Sequence, residues 1–269
     1  MPLIRVDGPD DPRIADYHDV SDSELLRNRG LFVAEGRLVV QRVIEDARFS
    51  LRSLLMNETA SRALAGTLAN VSPDVPVFVC DSHDFLGITG FNLHRGCLAF
   101  VERPAPIASC EILRAAETIV ILEGVTNADN VGGVFRNAAA FGAGGVMLSP
   151  TCCDPFYRKA IRTSMGATVH VPFARFEDWP GGLADVRATG FTLVALSPRP
   201  TSITLDSLVE ARPARVALLL GTEGDGLSEA AVSAADLSVR IPITDAVDSL
   251  NLAVASGIAL SRLSREGRL

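Results

Sequence analysis

Three stretches of this 269-residue chain place polar side chains among small and apolar ones, in patterns that suit chemistry better than packing. The first is NADNVGGVFRNAAAFG (127–142), where Arg136 is the one charged residue between Asp129 and Asp154. Its spacing predicts a helix over 130–141, capped by Asn130, with Val131, Val134, Phe135 and Ala138 on the buried stripe. Arg136 then points roughly opposite, beside Gly132, Gly133, Asn137 and Ala140. A solvated helix face usually carries Glu and Lys, whereas this one is small and nearly uncharged, so something can approach the guanidinium closely. An exposed arginine on a plain helix is the simpler alternative. The second stretch is LLLGTEGDGLSEA (218–230). Glycines 221, 224 and 226 let backbone groups come close to a ligand. The loop lacks the lysine of a phosphate-binding loop and offers Glu223 and Asp225 instead. That setting suits a cationic or zwitterionic cofactor better than a polyphosphate; a tight turn with surface acids is the alternative. The third is IPITDAVDSLNLAVASGIAL (241–260), a polar loop leading into a helix that Asp248 or Ser249 can cap. Ala253, Ala255, Ser256, Gly257 and Ala259 permit close backbone packing, and Asn251 is a poor core residue. An ordinary capped helix fits this stretch as well.

These stretches need a scaffold, and the apolar runs supply one. ETIVILEG (117–124), GGVMLSP (144–150), FTLVALS (191–197) and RVALLLG (215–221) suit strands of a parallel sheet buried on both faces. Residues 238–243 read as a further short strand. Helical patterns fall at 130–141, 156–163, 176–188 and 228–235, and a last helix runs from about Ser249 to Arg265. In an open α/β sheet, ligands bind outside the carboxyl ends of the strands, which is where the polar stretches lie. RPAPIASC (103–110) breaks the patterning and predicts a boundary between a domain over 1–105 and another over 106–269. In the first, LFVAEG is extended and leads into a helix with Leu38, Val39, Val43 and Ile44 on one stripe. LRSLLM (51–56), VPVFVC (75–80) and RGCLAFV (95–101) read as strands. ASRALAGTLANV and the region near DSHDFLGI read as helices. This is a small α/β domain.

Bulk properties bound the function. The chain is 48% hydrophobic and 21% charged, with net charge −7, so a non-specific nucleic-acid binder with a basic surface is disfavoured while a local basic patch is not. Arginine outnumbers lysine 24 to 1; a GC-rich genome would produce that, and guanidinium forks also suit phosphate recognition. No apolar run reaches membrane-spanning length, and the N-terminus lacks a signal-peptide pattern. The five cysteines (80, 97, 110, 152, 153) form no CxxC, so no metal site is expected and reduced thiols in a cytoplasmic protein are.

Together the three stretches resemble the motifs of the SpoU (TrmH) family of RNA 2′-O-ribose methyltransferases, within the SPOUT superfamily. NADNVGGVFR matches its Asn-x-Gly-Asn-x-Gly-x-x-x-Arg motif, with Asp129 where glycine is common. GTEGDGL and IPITDAVDSLN match the second and third. DPFYRKAIRTSMGATVHVPF resembles the family's link segment, including Arg162, Ser164, Met165 and Gly166. RNRGLFVAEGRLVVQRVI (27–44) and LHRGCLAFVERP (93–104) resemble its ribosomal-protein-like substrate-binding module. The resemblance implies a knotted (trefoil) parallel-sheet catalytic domain, a topology that patterning alone would never suggest. It also implies S-adenosylmethionine as cofactor and a homodimer through the catalytic domain. By the same resemblance Arg136 is the catalytic arginine, Asn130 positions it or the ribose, and Ser249 and Asn251 lie near the reacting centre. Glu223 shapes the cofactor loop, and backbone around Leu196, Gly221, Gly224, Ile241 and Leu250 holds the cofactor. Arg158, Lys159 and Arg162 form a basic cluster. Arg158 and Arg162 lie one helical turn apart and are candidates for RNA contact, a solvated helix being the alternative. Ribosomal RNA is the preferred substrate class and transfer RNA the alternative. A non-catalytic RNA-binding relative is the first rival reading. A nicotinamide-dependent enzyme is the second, and it lacks its GxGxxG fingerprint here.

Overall fold

The computed structural model describes residues 3–18, 22–89, 96–211 and 213–264. It divides into two compact units, one of residues 1–105 with 156–169 and one of 106–155 with 170–269.

The first unit is built on a mixed five-stranded sheet. Its strands are β1 (Leu3–Arg5), β2 (Leu31–Glu35), β3 (Leu51–Asn57), β4 (Val77–Cys80) and β5 (Cys97–Glu102), in the order β1-β4-β3-β5-β2. β1, β4 and β3 run parallel, and β5 pairs antiparallel with both β3 and β2. One face buries Ile14, Tyr17, Leu25, Leu55, Phe85 and Phe100, and the Tyr17 hydroxyl meets Ser53 Oγ at 2.6 Å inside it. Around β2, Phe32 stacks on Phe156 at 4.5 Å, so the 156–169 segment contributes to this unit's packing. The helix Arg37–Glu45 buries Val39, Val40 and Val43, and Leu38 is exposed. The apolar stripe is therefore rotated from the expected 38/39/43/44 pattern, because Val40 rather than Leu38 faces inward. Expected residue 95 of the last strand and 93–95 of the resembling segment lie outside the described residues.

The second unit carries seven parallel strands: β6 (Thr118–Leu122), β7 (Gly145–Leu148), β8 (Phe173–Arg175), β9 (Thr192–Leu196), β10 (Ile203–Thr204), β11 (Val216–Leu220) and β12 (Leu237–Arg240). Their order is β10-β12-β9-β11-β6-β7-β8. The central strands bury nearly every side chain, as their unbroken apolar runs require. β8, β10 and the helix Leu205–Ala211 are additions to the sequence reading. Two- and three-residue strands are too short to show a period. The expected 176–188 helix begins only at Leu183, because Pro180, Gly181 and Gly182 interrupt it. No helix among the described residues is long and apolar enough to cross a membrane.

Candidate active site

The first-motif helix spans Ala128–Ala140. Its cap is Asn127, whose Oδ1 accepts from the Asp129 N–H at 2.8 Å. Asn130 is thus the third helical residue and not the cap, a correction to the sequence reading: the chain turns helical one residue after Asn127, and Asn130 is buried, 5% exposed. Asp129 takes an ordinary helical conformation there, so a glycine is not needed, and its charge sits at the favourable end of the helix dipole. Val131, Val134, Phe135 and Ala138 are fully buried, and Arg136 is exposed. Among the described residues no carboxylate pairs with the Arg136 guanidinium.

The small face beside Arg136 is occupied in part by the last helix, Leu252–Leu263. A Cβ on Gly133 would lie 2.5 Å from Ala253 Cβ, closer than side chains tolerate. Asn137 Nδ2 donates to the Ala253 carbonyl at 2.6 Å and to Ser256 Oγ at 2.9 Å, and Ser256 is completely buried. Gly257 completes the contact against the Asn137 amide. In the sequence Asn137 stands on the small face beside Arg136 without a role of its own. Its only signal is an amide facing a helix whose own residues are Ala, Ser and Gly.

The last helix is capped by Asn251, not by Asp248 or Ser249 as expected. Asn251 Oδ1 accepts from the Ala253 and Val254 N–H groups at 2.9 and 3.2 Å. Residues 241–250 are not helical and the helix begins only at Leu252, beyond the capping position of either earlier side chain. The other end of the same amide joins the three motifs: Asn251 Nδ2 donates to Asn130 Oδ1 at 3.0 Å and to Glu223 Oε1 at 2.6 Å. The far end of the expected helix, Arg265, lies outside the described residues.

Beside this junction, the segments after β9, β11 and β12 enclose a cleft of about 780 Å³ of empty space, solvent mouth included. Leu196, Gly221, Glu223, Gly224, Ile241, Ser249 and Leu250 all line it. The glycine loop folds tightly on itself. A Cβ on Gly221 would lie 2.1 Å from the Gly226 backbone, while Gly224 takes a left-handed φ of 90°. Glu223 alone among the described lining residues carries charge, and the large apolar side chains of the walls are Leu and Ile. Such a cleft favours a flat, largely apolar group attached to a cation and offers no basic side chain to a polyphosphate.

Of the expected basic cluster, Lys159 and Arg162 are exposed. Arg158 is turned inward within the first unit. Its backbone N–H donates to Asp22 Oδ2 at 3.0 Å and its Nε lies 3.8 Å from Glu35. Burial lowers the Arg158 pKa below the ordinary guanidinium value and raises that of Asp22 above the usual carboxylate range. The two arginines therefore do not share one exposed face. No group of three or more metal-ligating side chains occurs among the described residues.

Residues 117–261, more than half of the chain, match the sequence model of the SpoU rRNA methylase family. The chain belongs to the SpoU rRNA methylase family. An uncharacterized tRNA/rRNA methyltransferase of Mycobacterium bovis is 37% identical over 264 residues, covering 96% of this chain and 91% of that protein. The S-adenosylmethionine-bound rRNA methyltransferase of Sinorhizobium meliloti superposes with a TM-score of 0.80 at 25% identity, over 97% of each chain. The SpoU methyltransferase AviRb of Streptomyces viridochromogenes shares the fold, with a TM-score of 0.74 at 23% identity over 94% of this chain and 97% of that one. As a SpoU-family protein the chain is an RNA methyltransferase, and its three motif segments are the ones that meet at the Asn251 amide.

Proposed function

We propose that this SpoU-family protein transfers a methyl group from S-adenosylmethionine to a ribose 2′-hydroxyl of RNA, ribosomal RNA being the favoured class. The observation that carries the reading is the Asn251 amide, which ties Asn130 and Glu223 together at the edge of a cleft whose one described charge is an acid. The cleft fits the cofactor: Leu196, Ile241 and Leu250 would flank its purine and Glu223 would offset the charge of its cationic part. When bound there, the cofactor supplies an electrophilic methyl group.

The chain's own residues do the rest. A guanidinium offers five N–H donors and no acceptor, so Arg136 acts as a donor and not as a base. Its fork orients the 2′-hydroxyl, together with an adjacent phosphate, and stabilises negative charge growing on the oxygen. With no carboxylate partner among the described residues, the guanidinium is available to RNA. Asn130, held by Asn251, fixes the start of the helix that carries Arg136, six residues and about 9 Å of helix axis away. Ser249 lines the cleft mouth, where it can hydrogen-bond the ribose. Lys159 and Arg162 add phosphate contacts; Arg158, engaged with Glu35, contributes mainly to holding its segment.

The reading includes a trefoil knot, with the chain end threaded through a loop, and a homodimer through the catalytic domain. Ile243, Val247 and Val254, three of the six exposed large hydrophobics among the described residues, fall in the third-motif segment and support such an interface. Sedimentation equilibrium should give twice the chain mass. The functional test is methyl transfer from labelled S-adenosylmethionine into ribosomal RNA and, separately, transfer RNA from cells lacking the gene. Alkali-stable label in the ribosomal pool, absent with Arg136→Ala, is the expected result. Label in transfer RNA alone overturns the substrate class, and alkali-labile label overturns the 2′-oxygen.

A further inference from the structure

Glu123 follows the last residue of β6 and leads directly into the first-motif loop. Its backbone N–H donates to the carbonyl of Leu220, the last residue of β11, at 2.9 Å. Its carboxylate reaches the opposite end of the glycine loop: Oε2 accepts from the Ser228 backbone N–H at 2.8 Å and Oε1 from the Ser228 hydroxyl at 2.7 Å. One residue therefore grips both feet of the 221–227 loop, which carries Glu223 and lines the cleft. Oε1 also accepts from the indole N–H of Trp179 at 2.6 Å. Trp179 is the single tryptophan of the chain and packs on Phe176 with ring centroids 5.2 Å apart. Ser228 has nothing to spare, since its hydroxyl also accepts from the Ala231 N–H as cap of the next helix.

Three donors converging on one side chain demand an acceptor-only group, and an ionised carboxylate is that group. Bonds to a charged acceptor are also the stronger kind. The geometry points to Glu123 as a positioning residue for cofactor binding, acting through the glycine loop and linked to Trp179. This rests on the reading of the cleft as the S-adenosylmethionine site. Glutamine cannot replace it. Its NH₂ group would face either the Ser228 backbone donor or the indole donor, whichever way the amide turned.

The test is calorimetric titration of the full-length protein with S-adenosylmethionine, alongside Trp179 emission, for wild type, Glu123→Gln, Ser228→Ala and Trp179→Phe. Wild-type emission should change on adding cofactor. Glu123→Gln should weaken binding by about tenfold or more, move the emission titration to the same higher concentration, and place its kinetic loss in KM for the cofactor and not in kcat. Trp179→Phe, which removes one donor and keeps a ring, should weaken binding less. Equal cofactor affinity in wild type and a folded Glu123→Gln overturns the role of Glu123 and leaves the cleft reading standing. A wild type that binds no S-adenosylmethionine overturns both. If circular dichroism shows Glu123→Gln unfolded, the other two variants decide, and unchanged affinity in both overturns the inference.

Discussion

Asn251 divides one amide between two tasks, capping the last helix with its oxygen and tying Asn130 to Glu223 with its nitrogen. Substitution can separate them. Asn251→Asp keeps the capping oxygen, so thermal stability should hold to within about 1 kcal/mol, yet it sets a second carboxylate against Glu223 and removes both donations. Methyl transfer should fall steeply while the protein stays folded. Asn251→Ala loses the cap as well, about 1 kcal/mol, and should lower both activity and Tm. Arg136 gives the opposite pattern. It is exposed and unpaired among the described residues, so Arg136→Lys should leave stability within about 0.5 kcal/mol. It should nonetheless cut kcat about 100-fold or more, because an ammonium keeps the charge and loses the fork. Cofactor affinity, measured by calorimetry, should not change.

At the scale of elements, the site depends on how closely the Ala128–Ala140 and Leu252–Leu263 helices approach. Alanine at a helical glycine ordinarily gains about 1 kcal/mol in propensity. At Gly133 the new methyl would lie 2.5 Å from Ala253 Cβ, and overpacking of that kind costs about 1–3 kcal/mol. Gly133→Ala should therefore lower Tm in spite of propensity, and should lower kcat by shifting Arg136 relative to Asn251. A Tm above wild type would show that the helices can separate freely. Asn137→Ala removes both bonds to the facing helix and leaves the Ser256 hydroxyl buried with one partner fewer, so it should destabilise by about 1–3 kcal/mol in chemical denaturation.

Across the whole molecule, 32 acidic residues outnumber 25 basic ones, so RNA must be met by a local patch and not by the overall field. Replacing Lys159 and Arg162 by alanine should flatten the slope of log affinity against log salt by about 1–2, whereas Arg158→Ala should show itself first as lost stability. The thiols follow burial in the same way. Desolvation pushes Cys97 up to about 12 and Cys80 up to about 11, keeping both protonated and inert at neutral pH. Cys152 and Cys153 are also buried, and Cys110 is exposed. A thiol reagent should modify Cys110 rapidly in the native protein and the other four only on unfolding.

Sequence by itself determined what is local. The period of the first motif gave the buried stripe and left Arg136 outside it. The apolar runs gave the central parallel strands, and the motif residues around Leu196, Gly221, Ile241 and Leu250 are those that line the cleft. Tertiary structure decided what depends on where distant segments meet. Asn251 reaches Asn130 across 121 residues and Glu123 reaches Ser228 across 105. The caps moved to Asn127 and Asn251 because a cap is set by the residue at which the backbone turns, which side-chain type alone does not fix. Arg158 turned inward because Asp22 and Glu35 lie beside it in space, although more than a hundred residues separate them along the chain. Periodicity reports which face of an element is buried; only the packed chain reports what that face is buried against.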